Sequence, residues 1–96
     1  MPSFMVAHVK HQGVELVLVP LEDDFDRYPR EEQSALIAEL RKRAREAGLR
    51  GTVVPVWNVA HEHMKFVAPR EMHALFKGVD VNWVRASVNL DLSWTA

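Results

Sequence analysis

The sequence predicts an α+β fold, with segments in the order ββαββαβ: a five-stranded antiparallel or mixed sheet carrying two helices on one face. Three observations carry this expectation. Residues 29–47 place apolar side chains at helical spacing, residues 14–21 are apolar on both strand faces, and residues 83–92 alternate between apolar and polar. At 96 residues the chain has the length of one ordinary domain, and residues 1–96 are read as a single α+β domain.

Residues 3–9 and 14–21 read as the first two strands, joined through Lys10, His11, Gln12 and Gly13, a glycine-containing connector that suits a hairpin. In the second strand Val14, Leu16 and Leu18 share one face and Glu15, Val17 and Val19 the other. Only Glu15 is charged, so this strand is expected to be central and covered on both faces.

The polar residues 22–28 lead to Pro29, which suits the first turn of a helix. Glu31 and Glu32 follow where the helix macrodipole favours negative charge. Leu36, Ile37, Leu40, Ala44 and Ala47 make one apolar stripe, and Glu39 with Arg43 makes an i,i+4 pair. Gly48 and then Leu49 read as a glycine cap with its hydrophobic contact.

Residues 52–59 and 64–68 form a second strand pair around Ala60, His61, Glu62 and His63. Pro55 removes a ladder donor, which places its strand at an edge or a bulge. Pro69 opens a short helix over 69–77 that ends at Gly78. In the last strand, 83–92, Val84, Ala86, Val88, Leu90 and Leu92 are expected to face the core. Trp83, Arg85, Ser87, Asn89 and Asp91 are expected to face outward.

Without its first strand this order is βαββαβ, which resembles the split unit of ferredoxin-like domains. That unit flanks its first strand with later strands on both sides. An N-terminal hairpin therefore competes with the C-terminal strand for one flank. A C-terminal strand left without a partner would be free to pair with a second copy.

Composition removes several classes of function. There is no cysteine, which excludes disulfide frameworks, zinc-thiolate sites and thiol nucleophiles and favours a reducing, cytoplasmic location. The N-terminal residues do not read as a secretion signal, and the longest apolar run, 16–21, is far below membrane-spanning length. A net charge of −1 argues against a dedicated nucleic-acid binder. The charges are nevertheless segregated, with acidic side chains over 22–26 and basic ones over 41–50. A solvated helix end accounts for the basic run.

Candidate chemistry is sparse. His61, Glu62 and His63 offer two imidazoles but no third metal ligand, and a solvated hairpin tip accounts for them. Asp23, Asp24 and Asp26 lack the spacing of a calcium loop. No serine sits in a nucleophile elbow and no glycine loop cradles phosphate, so neither a catalytic residue, a metal nor a cofactor is assigned. The expected function is a non-catalytic binding or assembly module, homodimeric or bound to another protein. Trp83, Arg85, Asn89 and Asp91 on an open sheet face form its contact surface. The alternative is a small enzyme, or a metabolite- or metal-binding domain, whose pocket between sheet and helices uses His8, His11 or Glu15.

Overall fold

A two-residue turn sets the geometry of the first hairpin. Gln12 and Gly13 both have positive φ, 50° and 80°, the turn whose twist matches that of the flanking strands. His11 pairs with Val14 across it, joining β1 (Ser3–His11) to β2 (Val14–Pro20). The computed structural model describes residues 3–59 and 63–94.

From β2 the chain passes through a 3-10 helix, Asp23–Arg27, into α1 (Arg30–Glu46), and returns in β3 (Thr52–Val59), parallel to β2. β4 (His63–Phe66) folds back antiparallel on β3. A second 3-10 helix, Arg70–Phe76, and α2 (Val81–Ala86) lead to β5 (Leu90–Ser93), which lies antiparallel to β1. The result is one mixed five-stranded sheet of order β4-β3-β2-β1-β5. The chain is thus α+β with the expected order of strands along the sequence.

Several local expectations hold. α1 closes with two bonds of a glycine cap: Gly48 N–H donates to the Arg45 carbonyl and Leu49 N–H to the Ala44 carbonyl, both at 3.0 Å, and Gly48 has φ 77°. Glu39 and Arg43 pair at 2.7 Å, and Glu46 joins Arg43 at 3.3 Å. β2 is central and sealed on both sides, with Leu16, Val17, Leu18 and Val19 all at 0% exposure. Gly51 enters β3 at φ 115°, against the Glu15 backbone, where a Cβ would lie 2.5 Å from the Glu15 carbonyl oxygen. A glycine is required there on both counts.

The helices do not share a face. α1 and the first 3-10 helix cover Val6, Val17, Val19, Val53 and Leu92 with Phe25, Leu40 and Ala44. The second 3-10 helix and α2 cover Ala7, Leu16, Leu18, Val54 and Val56 with Phe76, Val81 and Val84 on the opposite side. The connectivity explains this. β4 and β5 are the two sheet edges, so residues 67–89 must cross the whole sheet, a span of about 19 Å at the usual strand spacing. α1 already occupies one side, so that long connection crosses the other.

Three further expectations are corrected. Pro55 is on an interior strand, not an edge. Its carbonyl accepts from Val67 N–H at 3.2 Å, just past the end of β4, so the missing donor falls where that ladder is ending. The strand expected over 83–92 is helical for its first half: α2 ends at Ala86, and only Leu90–Ser93 is extended. Finally, β2 has β1, an earlier strand, on one side, unlike the first strand of a ferredoxin-like unit. The N-terminal strand takes that flank, and β5 pairs outside it with β1.

Candidate interaction surface

The helical turn at 81–86 rearranges the residues expected to form one contact face. Asp80 caps α2, its Oδ1 accepting from Trp83 N–H at 2.8 Å, while Val81 and Val84 turn into the core. Trp83 is consequently on the outer side of the helix, 38% exposed, with its ring 5.3 Å from that of His11. Arg85 lies on the same short helix and is exposed.

Asn89 has a structural task. Its Oδ1 accepts from His8 N–H at 2.9 Å and its Nδ2 donates to the His8 carbonyl at 3.0 Å. The side-chain amide thereby stands in for a strand residue and extends the β1–β5 ladder past Leu90, the first residue of β5. Asp91 is in β5, opposite Met5 in the register, so the two side chains share the α2 side of the sheet. Trp83, Arg85, Asn89 and Asp91 therefore do not share a sheet face. Of the other two tryptophans, Trp57 is buried under the first 3-10 helix, and Trp94 stacks on Phe4 at 5.6 Å beneath Arg43.

A bare stretch of sheet does exist on the α2 side, but it is built from β1 and β5. α2 has six residues, about 9 Å of helix, and packs on β2 and β3. It leaves the start of β1 uncovered, and Met5 is 57% exposed. Beside it runs an open groove of about 580 Å³, lined in part by Ser3, Met5, Pro20, Glu22, Arg85 and Val88. On the opposite side of the same ladder Leu90, paired with Val6, is 39% exposed. Met5 of β1 and Leu90 of β5 are thus exposed on opposite faces of this end of the sheet, and the outer edge of β5 has no strand beside it among the described residues. Exposure alone could have flagged neither residue from sequence, because Met5 and Leu90 sit in ordinary strand patterns.

The polar alternatives do not converge. His8 and Glu15 face the α1 side of the sheet and His11 the α2 side, as strand alternation from Val6, Ala7, Leu16 and Val17 requires. His8, His11 and His73 each donate Nε2–H to a main-chain carbonyl, those of Arg50 (2.8 Å), Leu75 (3.0 Å) and Ala68 (3.0 Å). Each ties a strand or turn to a neighbouring segment. Positions 61 and 62 lie outside the described residues. Among the described residues no three His, Cys, Asp or Glu side chains are grouped to hold a metal.

The acidic stretch before α1 is likewise absorbed by the fold. Phe25 is buried, and Asp26 Oδ1 accepts from Trp57 Nε1–H at 3.1 Å and from Lys65 Nζ at 3.2 Å. The Trp57 hydrogen bond, then that of Lys65, hold the Asp26 carboxyl below its ordinary value of 3.8. No family model matches the chain, and no curated protein or solved structure is significantly similar to it. No helix among the described residues is long and apolar enough to cross a membrane.

Proposed function

We propose that this chain is a non-catalytic assembly module that pairs with a second copy along the outer edge of β5. The observation that carries the reading is the exposure of Met5 (57%) and Leu90 (39%) on opposite faces of the β1–β5 ladder, beside an unpaired strand edge. β5 (Leu-Asp-Leu-Ser) carries neither lysine nor proline; its protection against pairing is limited to its four-residue length and the single charge of Asp91. A twofold interface must be complementary to itself. Asp91 and Arg85, on the same side of the sheet, supply one charge of each sign for such a patch. Antiparallel pairing of β5 with its copy would continue the sheet to ten strands and cover Leu90 on one side and Met5 on the other. The cysteine-free composition supports a cytoplasmic setting.

Light scattering coupled to size exclusion tests this. The wild type is expected at twice the 11.0 kDa chain mass, and Leu90→Lys at 11.0 kDa with an unchanged circular dichroism spectrum. A wild type that stays at 11.0 kDa at millimolar concentration excludes the proposal.

A further inference from the structure

A second concavity lies between the last turns of α1 and the chain that leads into β3, and it shares no lining residue with the groove beside Met5. Arg41 and Arg45 line it, with Ala44, Leu49 and Val53 as its apolar wall. The two arginines are four residues apart and so share one side of the helix. Their neighbour Arg43 is already engaged, by Glu39 at 2.7 Å, by Glu46 at 3.3 Å and by the Trp94 ring at 5.4 Å. Arg41 and Arg45 form no ion pair with any described residue. Positive charge near a helix C-terminus is ordinary. Both side chains are exposed, as at an ordinary solvated helix end, and what distinguishes this pair is the concavity that the two line together with Leu49, Thr52 and Val53.

We infer that this hollow binds the phosphate group of a small phosphorylated molecule, held between the Arg41 and Arg45 guanidiniums. Guanidinium forks bind phosphate oxygens in bidentate fashion, and an anion between the two would replace their repulsion with attraction. The hollow measures about 270 Å³. Sites for drug-sized ligands begin at about 300 Å³, so it suits a compact oxyanion with at most a short organic tail. The helix end does not oppose the anion as strongly as a bare C-terminus, because its carbonyls are occupied. Arg43 accepts from Ala47 N–H, Ala44 from Leu49 N–H and Arg45 from Gly48 N–H, each at 3.0 Å. A nucleic acid would need a track of many phosphates. Here the neighbouring surface of α1 also bears Glu39 and Glu46, and the chain's net charge is −1. This site does not depend on the β5 edge.

Titration with inorganic phosphate and with phenyl phosphate at constant ionic strength, followed by backbone and arginine Nε resonances, tests the inference. Saturable shifts are expected at Arg41, Arg45 and Gly51. At least tenfold weaker binding is expected in Arg41→Gln and in Arg45→Gln, with no change in the distant Arg70→Gln. Arg41→Lys, which keeps the charge and removes the fork, is expected to weaken binding as well and guards against loss of fold in the glutamine variants. Equal shifts with chloride, unchanged binding in both glutamine variants, or tighter and steeply salt-dependent binding of a single-stranded oligonucleotide would each overturn it.

Discussion

At the scale of single residues, the polar side chains of this protein mostly act as ties between segments. Asp26 joins the first 3-10 helix to β3 through Trp57 and to β4 through Lys65. Because the folded chain holds this carboxyl below 3.8, it stays ionised at a pH where the unfolded chain has begun to take up its proton. Its contribution is therefore complete above the ordinary carboxylate range and is lost as pH falls through the depressed native value. Asp26→Asn is expected to lower the melting temperature at pH 7, and the gap to wild type is expected to close as the pH drops below 3.8. Thermal melts over that range check the sign, and a gap that persists unchanged in acid would show that Asp26 contributes by shape rather than charge. None of these ties was visible in the sequence. The spacing from Asp26 to Trp57 and Lys65, or from His8 to Asn89, follows from topology and from no local pattern.

At the scale of elements, legibility tracked how far local signals agreed. α1 was readable because stripe, first-turn acids and glycine cap all pointed the same way, and the Gly48 closure has the expected bonds. The sealed state of β2 followed from its unbroken apolar run. The C-terminal segment misled because its alternation over 84–92 coexists with a helical signal, Val81 and Val84 three apart after a capping aspartate. Asp80, directly before Val81, is the local signal for a helix start, since aspartate before an apolar-periodic residue favours one. Asp80→Ala is expected to destabilise the protein by about 1 kcal/mol, the usual loss for such a cap. Denaturant unfolding measures it. A change within a few tenths of a kcal/mol would mean that tertiary packing of Val81 and Val84, not the cap, holds α2.

At the scale of the whole molecule, the helices divide between the two faces and the sheet ends at two unequal edges. β4 carries Lys65, which is committed to Asp26, whereas β5 itself exposes Leu90 and lies beside the exposed Met5 of β1 and a groove that includes Arg85. The last segment does not present an open sheet face; the uncovered stretch of sheet on the α2 side is at the start of β1, where Met5 is exposed. Trp83 and Asn89 are not part of it because one sits on a helix against His11 and the other completes the ladder. Pairing through β5 would satisfy the outward main-chain groups of one edge and leave β4 untouched. Hydrogen exchange of the wild type at micromolar and at millimolar concentration examines this most directly. The account predicts that amides of Leu90–Ser93 not bonded to β1 slow markedly at the higher concentration while those of His63–Phe66 do not. Equal exchange at both concentrations, or slowing confined to β4, would contradict it.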